Sequence, residues 1–323
     1  MRQFGRRYQL VIGSASDGIA FDNLRVSFEI TKTLDKQPNP GKISIYNLNR
    51  DHRGAILSGQ YKTVALSVGY EVLRLIYAGD VTRANVESQG MDKLTELECG
   101  DGNVAFTSAR VNMTLPPGTT DAQAAVALAG TLPNTSRGTM VVTRTGGSGR
   151  SKVYCGNTRD HLSNLAHANN ADWSIQDGQL VMLPSNAALA GEGALISDET
   201  GMIGGPKQTD NGLEVKCLLN PEILVGGVVR IVSIEPTYSG DYKVVSVKHT
   251  GDSLEGDWTS DLTCIGGKFQ KVEKKKKDGT MNDGTDSDGD GPLLARRSVS
   301  SIGARLERRP PGDAGLWSID DLI

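Results

Sequence analysis

The stretch LRVSFEIT, residues 24–31, decides how this chain is read. Leu24, Val26, Phe28 and Ile30 alternate with Arg25, Ser27, Glu29 and Thr31. A period of two sends the apolar set to one face and the polar set to the other, so the segment is a β-strand with one buried face. Working outward, GKISIYNL (residues 41–48) continues that style and ends at an Asn. A short helix is expected from Arg50 to Leu57, closed by Gly59. The runs KTVALSVGY (62–70) and VLRLIYAGD (72–80) are separated by one residue and predict a hairpin, and LTELEC (94–99) adds a strand. Several short strands with one small helix make a β-barrel or sandwich over residues 1–112.

The middle third changes character. Thr120 and Gln123 fit a capping box opening DAQAAVALAG, a helix that Gly130 and Pro133 end. A second helix starts at Asn157 and carries Leu162, Leu165 and Ala166 on one face. ADWSIQDGQLVML (171–183) is two apolar strands joined around Asp177-Gly178, a hairpin. Residues 113–198 therefore read as a small α+β insert. From Gly212 the strand pattern returns in LEVKCLL, GVVRIVS, DYKVVSVKHT and WTSDLTCIGG. This second β unit, residues 199–268, stops at Gly266-Gly267. The fold class is mainly β, with two β-barrel-like units bracketing the insert.

Beyond Lys268 the composition shifts. Residues 271–291 hold almost no apolar side chain, which predicts a disordered linker over 269–292. Asp286, Asp288 and Asp290, followed by Gly291, have the spacing that opens a calcium loop, but its twelfth position is Arg297, where the closing carboxylate belongs. A solvated tether is the preferred reading. In residues 293–323, Val299, Ile302 and Leu306 fall at helical spacing, and the chain ends in GLWSIDDLI. Leu316, Trp317, Ile319 and Leu322 are the candidate partner-docking residues, with Trp317 as the anchor. A frayed tail with an incidental Trp is the competing reading.

The rest of the composition excludes more than it selects. The 323 residues include 39 Gly, only 5% are aromatic, and the net charge of −3 gives no bulk attraction to a polyanion. Cys99, Cys155, Cys217 and Cys264 are far apart, and packed, reduced thiols are expected in place of disulfides or a zinc site. No signal peptide or apolar stretch of about 20 residues is seen, so a soluble protein with no membrane contact is expected.

No catalytic constellation emerges. GGSGR (146–150) has no strong strand entering it and no helix leaving it, so it is a loop rather than a nucleophile elbow. Cys155 and His161 flank a helix start, but a packed Cys and a surface His explain them better than a thiol–base pair. His161 and His167 do not share a helix face, and His52 and His249 are isolated. MIGGPKQTDNG lacks the ending of a phosphate loop, and the aromatics are too dispersed to stack nucleic acid. No catalytic residue, cofactor, metal or nucleic-acid site is assigned.

The ordered blocks carry a resemblance. LRVSFEITKTLDKQPNPGKISIYNLNRDHRGAI, a strand ending in GY, LRLIYAGDVTRA, WSIQDGQLVML and GMIGGPKQTDNGLEVKCLLNPEILVGGVVRIVS together resemble phage tail baseplate hub proteins over residues 7–267. The tail after Lys268 matches nothing in that pattern. The resemblance implies a homotrimer whose subunits each carry two tail-tube-like barrels, presenting six similar positions to a sixfold tube and three to a spike. It implies a non-enzymatic virion protein of the tail baseplate, made in the host bacterial cytoplasm. The implied partners are the tail tube or tube-initiator protein, the central spike and other baseplate proteins. The rivals are a tube-initiator or adaptor ring or another baseplate component such as an arm and, disfavoured, a hub-associated cell-wall hydrolase or a carbohydrate binder.

Overall fold

A computed structural model describes residues 5–14, 17–189, 193–210, 212–266 and 270–272. The first β unit comprises β1 (Arg7–Gly13), β2 (Gly18–Phe21), β3 (Val26–Thr33), β4 (Asn39–Tyr46), α1 (Arg50–Leu57), β5 (Thr63–Gly69), β6 (Leu73–Gln89), β7 (Asp92–Asp101) and α2 (Asn103–Ser108). Along β3 the alternation holds: Val26, Phe28 and Ile30 are buried and Glu29 is exposed. Helix α1 starts where the Asn49 side chain accepts from the Asp51 N–H at 2.9 Å. The chain leaves it through Gly59 at φ 72°, a conformation glycine adopts without cost.

The insert follows as β8 (Arg110–Leu115), α3 (Asp121–Ala129), β9 (Ser136–Met140), β10 (Lys152–Asn157), α4 (Thr158–Ala168), β11 (Ala171–Gln176), β12 (Gln179–Pro184) and β13 (Ala187–Leu189). The capping box forms: Thr120 Oγ1 accepts from Gln123 N–H, and Gln123 Oε1 accepts from Thr120 N–H at 2.9 Å. Asp177 and Gly178, at φ 52° and 72°, make the two-residue turn between β11 and β12, both in the left-handed conformation such turns require. Strand β9 joins this hairpin in parallel with β12, and β8 pairs separately with β10.

The last group is β14 (Ala194–Ile196), β15 (Lys207–Thr209), β16 (Gly212–Leu218), β17 (Val228–Ile231), β18 (Gly240–Asp252), β19 (Trp258–Gly266) and β20 (Gln270–Val272). It does not stand apart from the first unit. Strand β18 is 13 residues long; its first part pairs with β17, and Ser246–Asp252 pair antiparallel with Thr33–Ser27 of β3. One sheet therefore runs β15-β16-β19-β18-β3-β4-β7-β6-β5-β1-β2 across both units. No closed barrel forms among the described residues.

Three apolar clusters lie against these layers. The first gathers Leu10, Ile12, Ile30, Ile43, Leu66 and Leu97, with Leu219 and Trp258 contributed by the C-terminal group. The second is the insert's own, around Leu128, Leu162, Trp173 and Met182. The third holds Val215, Val229, Ile231, Val247 and Leu262. Phe28 and Trp258 meet edge-to-face at 5.5 Å, so one aromatic contact spans the two β units.

The structure departs from the sequence reading in specific places. Residues 7–13, to which the sequence reading assigns no element, form β1; Leu10, Val11 and Ile12 are all buried, so no alternation appears. The strand expected to end at Asp80 runs to Gln89. Helix α2 and the pair β8–β10 have no counterpart in that reading. Within the disordered linker expected over 269–292, residues 270–272 form β20, which pairs in parallel with β13. Asp286, Asp288, Asp290, Leu316, Trp317, Ile319 and Leu322 lie outside the described residues.

Candidate assembly surface

The residues weighed for catalysis do not converge. Cys155 sits exposed on β10, not packed as expected, because its side of the strand faces away from the insert core. His161 Nε2 lies 3.1 Å from the Cys155 carbonyl oxygen and its ring meets Tyr154 edge-on, so the imidazole is engaged by backbone and aromatic ring. Ser148 Oγ donates to the Arg150 carbonyl within its own loop. His249, read as isolated, is buried on β18, with Nδ1 2.8 Å from Ser260 Oγ; burial pushes its pKa down to about 3, and the Lys32 charge adds to that. Cys99, Cys217 and Cys264 are buried, and burial pushes each thiol up to about 12. Among the described residues no group of three or more His, Cys, Asp or Glu is placed to hold a metal ion.

What the molecule does build is a polar joint and a polar face. At the joint, the β11–β12 turn is held by the sheet. Asp101, at the end of β7, accepts the N–H groups of Asp177 and Gly178 at 2.6 and 3.1 Å. Lys32 Nζ donates to both Asp177 carboxylate oxygens at 2.6 Å. Asn39 Nδ2 donates to the Ile175 carbonyl at 3.0 Å, and Gln176 Nε2 donates to the Thr33 carbonyl at 2.6 Å. Burial, and then the Asp177 charge, push Asp101 up to about 8. At the base of the same hairpin, buried Lys243 donates to the carbonyls of Pro184 and Ser185 at 3.3 Å, and burial lowers its pKa. The insert is thus pinned to β3, β7 and β18 at both ends of its hairpin.

The opposite face of the sheet from the first and third clusters carries charge in alternation. Lys216, Asp261 and Lys248 lie in register in one row, and Glu29, Lys42, Glu98 and Arg83 lie in register in a second row offset by two residues. Lys248 reaches Glu29 at 2.8 Å, linking the two units, and Lys42 reaches Glu96 at 2.9 Å. The hydrogen bond to Glu96 raises the Lys42 pKa. These pairs are about half exposed, so each contributes little to stability; they make the face hydrophilic and nearly neutral.

Two edges bound this face. Strand β5 accompanies β6 only to Asp80, and the Lys62 carbonyl accepts the Val81 N–H. Beyond that, residues 82–89 pair with β7 on one side and have no strand on the other among the described residues. The far edge is β15, which pairs with β16 on one side alone. The sequence carried a signal for the β6 extension, since Val81, Ala84 and Val86 keep one side of the strand partly buried across a bulge between Val81 and Arg83.

This fold is that of phage tail proteins. The 43 kDa tail protein of prophage MuSo2 from Shewanella oneidensis aligns over 81% of this chain and 98% of its own, with a TM-score of 0.55 at 10% identity. A tail protein from Neisseria meningitidis gives the same TM-score, 0.55, at 10% identity over 81% and 97% of the two chains. A component of the E. coli type VI secretion system, described as structurally similar to T4 bacteriophage tail proteins, gives 0.53 at 10% identity over 82% and 79%. No curated protein sequence matches the chain. Residues 10–264 match the family Baseplate hub gp41, and the chain belongs to that family. It is a structural component of the phage tail baseplate.

Proposed function

We propose that the chain assembles as a homotrimeric hub ring that joins the tail tube to the central spike and nucleates tube and baseplate assembly, without enzymatic activity. The observation that carries this reading is the single sheet crossing both β units with a charge-alternating face. Two β units per chain, residues 1–112 and 199–268, give six related positions in a trimer, which reconciles a threefold spike with a sixfold tube. The C-terminal residues Leu316, Trp317, Ile319 and Leu322 dock on a partner or a neighbouring copy, with Trp317 as the anchor. The proximal partners are the tube or tube-initiator protein, the spike and other baseplate proteins, reached from synthesis in the host cytoplasm.

Native mass measurement of the purified chain, alone and mixed with its neighbouring tail proteins, tests this. A trimer that binds both tube and spike proteins is expected. A hexamer would instead identify a tube-initiator or adaptor ring, and a monomer binding neither would sink the hub reading.

A further inference from the structure

A lysine stands where the pattern of β3 asks for an apolar side chain. Val26, Phe28, Ile30 and Lys32 occupy the same buried face of the strand. A lysine that deep is rare unless it is paired. Its partner is Asp177 in the β11–β12 turn, 145 residues further along the chain. Nζ lies 2.6 Å from each carboxylate oxygen, so the nitrogen faces the carboxyl group symmetrically. A turn of that group about its Cβ–Cγ bond presents the carboxyl carbon to the nitrogen.

A second carboxyl group borders the pair. Asp101 is fully buried, and its oxygens accept the N–H groups of Asp177 and Gly178 at 2.6 and 3.1 Å. Burial, and then the Asp177 charge, favour its protonated form. Burial also keeps the neighbouring Tyr77 and His249 uncharged; the Tyr77 hydroxyl donates to the Asn39 carbonyl at 3.0 Å. The site therefore sets an amine, a carboxyl carbon and a proton donor side by side in a place largely closed to water. The Asp177 side chain, 19% exposed, leaves a way out to solvent.

We infer that Lys32 and Asp177 become joined by an isopeptide bond, a modification that fastens the insert to β3 covalently. The Lys32 nitrogen bonds to the Asp177 carboxyl carbon, and one carboxyl oxygen departs. Of the three ammonium protons, one stays on the amide nitrogen and two leave with that oxygen. Ammonium plus carboxylate thus give amide plus water, with no other reagent. Asp101 hands a proton to the departing oxygen and recovers one from the nitrogen, acting as a general acid and base that ends as it began. Two conditions favour the step. Fixed proximity replaces a chance collision. The loss of both charges also removes the cost of keeping an ion pair out of water. The bond stands or falls independently of the hub reading.

Mass spectrometry of the purified full chain, reduced and denatured, tests it. The expected mass is that of the sequence less one water. A peptide map should contain a branched peptide joining Lys32 to Asp177, with trypsin no longer cutting after Lys32. An undiminished mass would overturn the inference. So would a lost water without the branched peptide, because ring closure at Asp177-Gly178 sheds the same mass and joins nothing. Lys32→Arg keeps a cation at the joint and should retain the full mass; a lost water in that variant counts against the bond. Asp101→Asn, shown to be folded by circular dichroism, should join about a hundredfold more slowly when its mass is followed over time, the size of a lost acid–base group. Joining at the parent rate in that variant would refute the part given to Asp101.

Discussion

Lys32 on β3 and Asp177 in the β11–β12 turn meet with the ammonium 2.6 Å from both carboxylate oxygens. Lys32 is 5% exposed, and Asp101 beside it is fully buried. One cation thus holds the Asp177 carboxylate, next to the buried Asp101 carboxyl, at the point where the insert seats on the sheet, and this junction decides whether the insert keeps its orientation.

Replacing Lys32 by Met leaves the Asp177 carboxylate without its cation in a largely buried place. A loss of about 3–5 kcal/mol is expected in urea unfolding, the size found when one partner of a buried pair is removed. Lys32→Met with Asp177→Asn should recover part of it, because Asn tolerates the left-handed backbone at φ 52°. A single variant as stable as the parent would mean the joint contributes nothing.

His249 should make the protein acid-sensitive. Its folded pKa of about 3 lies below the unfolded value near 6.5, so the native state binds fewer protons between those limits. Its contribution is complete above about pH 6.5 and is lost as pH falls, at about 1.4 kcal/mol per pH unit once the unfolded state is protonated. His249→Gln should flatten urea midpoints between pH 6.5 and 4.5. An unchanged slope would refute the assignment.

Asp101 works in the other direction. Its folded pKa, about 8, lies above the unfolded value near 3.9, so the native state holds the extra proton. Stability from this group is full below about pH 4 and declines as pH rises toward 8. Asp101→Asn should remove that decline, although its amide faces a backbone N–H and lowers stability throughout. Equal slopes in parent and variant across pH 5–8 would contradict the prediction.

Gly251 lies on β18 opposite Phe28, and a Cβ there would stand 2.4 Å from the Phe28 ring and 2.8 Å from Trp258. Gly251→Ala therefore forces apart the aromatic contact between the two β units. A loss of about 1–3 kcal/mol is expected, as for overpacked cores. Thermal unfolding checks it, and a melting temperature within a degree of the parent would show that the rings move aside freely.

Ending the chain after Val272 retains β20 and removes the apolar terminus. Far-UV circular dichroism and melting should match the full chain, while binding to neighbouring tail proteins should fall. Undiminished binding would dismiss Leu316, Trp317, Ile319 and Leu322 as the docking residues.

Much of the fold is legible in the sequence because one-sided strands advertise themselves. β3, the β11–β12 hairpin and α3 with its capping box appear where alternation, Asp177-Gly178 and Thr120/Gln123 place them. β1 is hidden because both of its faces are covered, which erases the period. The continuation of β6 is hidden because a bulge shifts the alternation by one residue at Val81 and Arg83. The junction of the two units is a long-range pairing of β3 with β18, and no local pattern encodes which strand a strand will choose. The polar face was visible residue by residue in Glu29, Lys42 and Lys248, but its continuity depends on that choice.

The β3–β18 ladder has a mechanical consequence. Seven residues of each strand are paired there, from Ser246 with Thr33 to Asp252 with Ser27. A pull along the strands loads all seven pairs together and must shear them at once, whereas a pull across them opens the ladder one pair at a time, like a zip. A tail that drives force along its axis will therefore find this subunit stiff or compliant according to how β18 is inclined to that axis.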